Sequence, residues 1–362
     1  TPMIVMSGTG PMSMDGRRPW IDWVHTALVQ GNLVRDFVKF DDQPHDTFSV
    51  PESFVRAYRV AMTEPKGPVY IALDAGWQEE RIDRDIPIPD VAKFAPPAPV
   101  QGDPAALAQT AKLLASARTP LIIAGRVGRA PSAVADLIKL AETGGIKVVD
   151  GGGAMNFPST HPLDATGTPA VEQADVVVLL DVDYPELATT VWNRYDRQIA
   201  SRLREDVQLV NIGLNDLWIR STIMDFGRLI PAELTISADT SVAIPELTRL
   251  LEAQLVSGGS KAAGRIAEGR TAKTEGRERA IAEAAEHIND RPIPLSSIAS
   301  ALWDNIKGDD NWVFAGALDG WNRRLWEVER PGSILGGGGA AALGTGLPRA
   351  VGAALAVKKS GG

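Results

Sequence analysis

Three segments pair reactive residue types with a setting that exposes them. The first, "WIDWVHTA", carries His25. Imidazole titrates near neutral pH, so His25 can shuttle a proton during addition or release; a surface or capping histidine on an amphipathic helix explains the same residue equally well. The second, "AGALDGW", spans residues 315–321 and follows an expected strand end, where α/β sheets place ligands. The third, "SILGGGGAAALGTGLPRAVGAALAV", spans residues 333–357 and has Arg349 as its single charge. Two other groups need less. Lys39, at a strand end before "DDQP", can pair with Asp41 or Asp42. His45, in the turn "FDDQPHDTF", reads as solvated.

The glycine stretch has three readings. Its length suits a membrane span, but glycine and alanine contribute little transfer energy, and Pro348 and Arg349 interrupt it. A plain glycine loop before a tightly packed helix is the second, with Ala350, Gly352, Ala353 and Ala354 allowing close approach. In the third, glycines bring the backbone up to a cofactor and free its N–H and C=O groups to bind it. Glycine richness alone does not choose between the last two.

The elements that must position these groups read as alternating strands and helices. "MIVMSG" is an expected strand, "PWIDWVHTALVQ" a helix, "LVRDFVKF" a strand, "VPESFVRAYRVAMTE" a helix and "GPVYIALD" a strand. Phe54, Ala57, Tyr58 and Ala61 recur at helical spacing, while Val69–Leu73 is a continuous apolar run suited to burial on both faces. After a proline-rich linker come the strands "PLIIAG", "IKVVDG", "ADVVVLLDVD" and "VQLVNIGL". The helix "PSAVADLIKLAE" separates the first two and carries Val134, Leu137, Ile138 and Ala141 on one stripe. This alternation predicts a parallel sheet with right-handed crossovers. The expected domains are 1–90, a linker 91–104, an α/β unit 105–255, a charged linker and solvated helix 256–290, and a third α/β region 291–362, with a strand at "NWVFAG".

Composition narrows the classes. A chain of 362 residues exceeds one ordinary core. A net charge of −8 argues against a nucleic-acid partner. With no cysteine, disulfides and thiolate metal sites are excluded, which fits a reducing, cytoplasmic setting. The four histidines lie too far apart for a metal-ligand pattern. The chain opens on Thr-Pro-Met, directly into a strand, and ends on "KKSGG" after an apolar helix. Both ends look cut, so the expectation is a fragment whose first and last domains are incomplete.

In order along the chain, these segments resemble the thiamine diphosphate enzymes of the acetolactate synthase group. "GGGGAAALGTGLPRAVGAALA" is similar to the family's "SGGxGxMGxGLPxAIGAxxA", most closely from Gly344 onward. The central "ARTPLIIAGRVG", "LAETGGIKVVDGGGAMNFPSTHPL" and "ADVVVLLDVD", and the earlier "VPESFVRAYRVAMTEPKGPVYIALD", also fit. The resemblance implies three successive parallel-sheet α/β domains: pyrimidine-binding, central Rossmann-like and diphosphate-binding. It implies thiamine diphosphate and Mg²⁺ as cofactors, a 2-oxo acid such as pyruvate as substrate, and decarboxylation or carboligation as the reaction. A homodimer or homotetramer follows, since the family's cofactor lies between the first domain of one subunit and the third of another.

Residue by residue, the resemblance puts Leu343 where the family has the apolar wedge that bends the cofactor. It puts the Ala341 carbonyl where the 4′-amino group is accepted, with Gly344 beside it. Ala317, Leu318, Asp319 and Gly320 match the turn at the diphosphate; an acidic Asp319 there is unfavourable unless it points away or a cation intervenes. His25 aligns with a glutamine that reaches the cofactor, and Lys39 with a frequent lysine. The family's catalytic glutamate precedes this sequence and its Gly-Asp-Gly metal motif follows Gly362, so the chain alone is expected to be inactive. "GRVG" is a weak dinucleotide signal; some relatives bind FAD or a nucleotide there, others nothing, and a structural role is expected. The competing function is a non-catalytic nucleotide- or FAD-binding α/β protein.

Overall fold

Continuous apolar runs bounded by Gly, Pro and Asp become parallel strands, and apolar stripes of helical spacing become the helices that cover them. The computed structural model describes residues 1–193, 195–217, 228–255, 259–336 and 344–359. The chain divides into two compact units, Thr1–Pro99 with Leu214–Arg228, and Val100–Gly213 with Leu229–Gly362.

The first unit contains β1 (Met3–Thr9), α1 (Asp22–His25), α2 (Gly31–Val34), β2 (Phe40–Asp42), α3 (Val50–Met62), β3 (Pro68–Asp74) and α4 (Ala75–Gln78). Its parallel sheet runs β1-β3-β2, with Met3 opposite Pro68 and Thr9 opposite Asp74. Ala57 and Ala61 of α3 pack on Val69 and Ile71, while Tyr70 and Ala72 face Val38 on the other side. β3 is thus buried on both faces, as its unbroken apolar run predicts.

Two expected elements of this unit are shorter than their sequences suggest. The tryptophan-rich segment forms one turn, α1, because Asp22 accepts from the Arg18 backbone N–H (2.6 Å) and guanidinium (3.0 Å). Thr26 then turns extended (φ −122°, ψ 132°), its Oγ1 engaged by the Gly10 N–H at 2.8 Å. These side-chain bonds compete with helix propagation. In "LVRDFVKF", the Arg35 guanidinium reaches Asp41 over 2.9 Å, and the chain curls through α2 before Phe40–Asp42 pairs with β3.

The second unit is built on a five-stranded parallel sheet. It contains α5 (Pro104–Ser116), β4 (Pro120–Ala124), α6 (Pro131–Gly144), β5 (Lys147–Asp150), α7 (Ala170–Gln173), β6 (Val176–Leu180), α8 (Pro185–Thr189) and a hairpin of β7 (Thr190–Asn193) with β8 (Gln198–Ser201). There follow β9 (Gln208–Gly213), β10 (Leu234–Ser237), α9 (Thr240–Gln254), α10 (Gly259–Glu286), α11 (Leu295–Ile306), α12 (Trp321–Leu325) and α13 (Gly346–Lys359). The strand order is β10-β9-β6-β4-β5. β4 and β6 are therefore adjacent although β5 intervenes in sequence, and the winding reverses between them.

Helix ends follow local rules. Asp103 caps α5 through the Ala106 N–H (2.8 Å), with Pro104 in the first turn, and Gly145 ends α6 at φ +60°. Leu107, Ala111 and Leu114 of α5 and Ala243, Ile244 and Leu247 of α9 cover one face of the sheet. Ala170, Val171 and Ala174 cover the other.

Within the expected charged segment, Gly259–Glu286 is one long helix, α10, that is not simply solvated. Ala262, Ala280 and Ala284 of α10 are buried. Arg265 donates to the carbonyls of Gly144 (3.0 Å), Ala117 (3.0 Å) and Arg118 (2.8 Å), serving carbonyls at and just after the ends of α6 and α5. "NWVFAG" forms only a parallel bridge from Phe314 to Ile334 among the described residues. The buried Trp326 stacks on Trp303 and meets Trp312 and Phe314 edge-on there. No helix among the described residues is long and apolar enough to cross a membrane.

Candidate functional site

In the first unit, β1 ends at an open cleft of about 280 Å³, lined by Gly8, Thr9, Gly10, Arg18, Trp20, Ile21, Asp22, His25 and Thr26. His25 is exposed at the end of α1. The Arg18 hydrogen bond holds the Asp22 carboxyl below the usual carboxylate range, and the same bond raises Arg18. That pair fixes the single turn carrying His25. Thr9 lines the cleft and keeps its Oγ1 buried without a hydrogen-bond partner, a group available to a ligand or a water. Trp20 and Trp23 are largely exposed beside this turn, at 72% and 76%.

In the second unit, the 315–321 turn divides by burial. Ala317, Asp319 and Gly320 are exposed, while Leu318 packs into the cluster of Trp326, Leu325, Ala299 and Met155. Leu318 thereby anchors the turn and leaves its neighbours to face outward. Asp319 (φ +46°) and Gly320 (φ +84°) are both left-handed, and a Cβ on Gly320 would meet open space. The Trp321 N–H closes the turn on Leu318 O at 2.8 Å.

Leu343 and Ala341 lie outside the described residues. Gly344 is exposed with φ +83° and nothing near its missing Cβ. α13 follows, with no buried residue among its side chains; Leu347, Val351 and Leu355 form an exposed stripe. Ala350 and Ala354 line a second cleft of about 510 Å³ with Asn311, Val313, Val357 and Lys358, so here the small residues border space instead of a close helix–sheet contact. The glycines do admit close approach at the start of the run. Gly336 N–H donates to Gly153 O, and a Cβ on Gly336 would overlap that carbonyl.

The crevice between β4 and β6 is filled by the chain itself. A Cβ on Gly125 would overlap the Asp181 carbonyl. Arg129 pairs with Asp181 and with Asp239 (2.9 Å), and Thr240 donates to Asp181. Arg129, the residue after "GRVG", therefore holds its guanidinium among buried carboxylates where an open α/β sheet would receive a ligand.

Lys39 does not pair with Asp41 or Asp42. Its Nζ donates to Val60 O (2.7 Å) and Thr63 O (2.8 Å), at the carboxyl end of α3. Burial pushes its pKa below the ordinary lysine value, partly offset by Glu64. His45 is exposed. No group of three His, Cys, Asp or Glu side chains that could hold a metal occurs among the described residues.

Sequence reasoning missed the buried partners, above all Asp150, Asp181 and Arg323. Asp150 and Asp181 were legible only as strand-terminal aspartates followed by a turn, and their cations lie far away in the chain.

Residues 107–247 match the family described as thiamine pyrophosphate enzyme, central domain. Along 98% of its length the chain is 24% identical to a "Probable acetolactate synthase large subunit" of Methanococcus aeolicus, spanning 59% of that relative. All of the chain superposes on 64% of a protein from Mycobacterium smegmatis assigned to the thiamin diphosphate-dependent enzymes, with TM-score 0.71 and 21% identity. It likewise covers 62% of benzoylformate decarboxylase from Polynucleobacter necessarius, with TM-score 0.70 and 18% identity. Residues 107–247 thus match the central domain of the thiamine pyrophosphate enzymes, and along its length the chain is similar to an acetolactate synthase large subunit.

Proposed function

We propose that the chain belongs to an enzyme that decarboxylates a 2-oxo acid such as pyruvate, joins the resulting fragment to a second carbonyl compound, or does both. Thiamine diphosphate and Mg²⁺ are the cofactors in this reading, and the working form is a homodimer or homotetramer in the cytoplasm. The observation that carries it is the collinear likeness to an acetolactate synthase large subunit.

The residues present suit the cofactor. Ala317, Asp319 and Gly320 expose backbone on a left-handed turn, and Gly344 and Gly320 leave open space where a side chain would stand. The turn at Ala317, Asp319 and Gly320 would hold the diphosphate side, and Gly344 would stand beside the 4′-amino group. The exposed Asp319 carboxylate tolerates a diphosphate only where it points away or a cation intervenes. Leu343 and Ala341 keep their proposed roles as wedge and carbonyl acceptor. When bound, thiamine diphosphate supplies the electron sink for the carbanion left as carbon dioxide departs. His25 would hold or pass a proton on a ring nitrogen, with Arg18 and Asp22 fixing its turn. The filled crevice beside Gly125 supports a structural role for the central domain.

The test uses protein expressed from the whole open reading frame, with the 362-residue chain as a second sample that is expected to be inactive. Pyruvate and benzoylformate are supplied separately, and carbon dioxide and condensation products are followed. The reading expects release from one of them that needs both thiamine diphosphate and Mg²⁺. No release and no calorimetric binding of thiamine diphosphate by the whole protein would overturn it.

A further inference from the structure

Asp150 is the last residue of β5, and its side chain is 1% exposed. Its two oxygens serve different segments. Oδ1 accepts from the Gly152 N–H (2.8 Å) and Asn156 Nδ2 (2.8 Å). Oδ2 accepts from the Asn156 N–H (2.9 Å) and from Arg323 Nη1 (2.7 Å). Arg323 Nη2 continues to Phe157 O (3.1 Å) and Asp164 Oδ1 (3.3 Å), and Lys273 of α10 meets Asp164 Oδ2 at 2.5 Å. Two buried carboxylates thus face two cations, and breaking one such pair leaves an uncompensated charge.

Each oxygen leads to one part of the candidate cofactor region. Through Arg323, in the first turn of α12, Oδ2 reaches the Asp319–Gly320 turn. Through Gly152, Oδ1 shapes the Gly152–Gly153 loop, whose residues sit at φ +88° and +87°. That loop receives Gly336, the first glycine of the run, and Ala154 bridges Leu335. Arg349 of α13 also donates to Gly336 O, at 2.5 Å. Arg323 Nε is left buried without a partner, so the guanidinium is oriented by its two terminal nitrogens alone.

We propose that Asp150 is a positioning residue that sets the Asp319–Gly320 turn and the Gly336 end of the glycine run against the same strand end. The inference rests on the cofactor reading above only in calling those segments cofactor-facing. The registration itself is a property of the fold.

The experiment compares wild type, Asp150→Asn, Arg323→Gln and Arg323→Lys. Amide hydrogen exchange is read on the 362-residue chain, and thiamine diphosphate titration with Mg²⁺ on the whole protein. Asp150→Asn is expected to speed exchange at 315–322 and 333–336 together, with β4, β6 and β9 unchanged. Arg323→Gln should loosen 315–322 alone, and Arg323→Lys should restore most of that protection. Asp150→Asn is also expected to lose affinity for thiamine diphosphate relative to wild type. Unchanged exchange in Asp150→Asn, or a uniform rise across the unit, overturns the proposal. If the exchange pattern holds while wild type binds no thiamine diphosphate, the positioning role stands and the cofactor reading fails. If Asp150→Asn does not fold, Arg323→Gln decides: without a local rise at 315–322 the registration is refuted.

Discussion

The backbone N–H of Thr119 donates to Asp175 Oδ1 over 2.9 Å, fastening the loop before β4 to the residue before β6. The Arg118 N–H donates to the other carboxylate oxygen, also at 2.9 Å, and Thr119 Oγ1 adds a bond at 3.2 Å. Burial pushes the Asp175 carboxyl up, but these bonds outweigh it and hold the pKa below the ordinary value. A depressed folded-state pKa gives stability that is present above the unfolded value and lost as pH falls through the folded one. Asp175→Ala is expected to cost about 1 to 3 kcal/mol at neutral pH. Paired urea titrations should show the wild-type advantage shrinking as pH falls below about 4. An advantage that does not change with pH would contradict this account.

Lys39 gives a slope of the same sign in a higher pH window. Its depressed pKa means that, between that value and about 10.4, the unfolded chain holds the proton that the folded chain has released. Stability therefore rises with pH across that window. Lys39→Met removes this slope and leaves Val60 O and Thr63 O without their donor, costing about 1 to 3 kcal/mol at pH 7. Melting curves of both proteins from neutral pH into the lysine range check the slope and its loss.

Arg129→Met leaves Asp181 and Asp239 buried without their cation, with side chains 1% and 6% exposed. The expected loss is about 3 to 5 kcal/mol. Asp181 sits at φ +49°, which asparagine tolerates, so Asp181→Asn is the partner change. The double variant should be more stable than the sum of the single losses implies; strict additivity in denaturation would show the pair is uncoupled.

Gly336→Ala should lose about 1 to 3 kcal/mol, because the added Cβ meets the Gly153 backbone and not a side chain that can swing away. Gly320→Asn, at an exposed left-handed position with open space, should be nearly neutral. Comparable losses for the two changes in thermal melts would contradict this assignment.

His25→Ala, at an exposed side chain, should leave Tm almost unchanged. In the whole protein it is expected to lower kcat by about a hundredfold or more with thiamine diphosphate affinity retained. Equal kcat in the two proteins would return His25 to the surface role that the sequence also allows.

The amino-acid sequence by itself determined the repeating units. The apolar runs of β3, β4 and β6 and the stripes of α3 and α6 are local patterns, since burying one face or two dictates which neighbours must be apolar. The order of motifs likewise carried the resemblance to the thiamine diphosphate enzymes. Tertiary structure decided how far each element extends and which polar groups meet. α1 stops after one turn because Arg18 and Gly10 capture Asp22 and Thr26. Leu318 turns into the tryptophan cluster while Asp319 and Gly320 face out, and Lys39 serves helix carbonyls instead of aspartates. Arg323 finds Asp150 across 173 residues of chain. Such partners share no periodicity: a buried charge is satisfied by whatever the folded topology brings within hydrogen-bond distance, and that distance exists only once the sheet has formed.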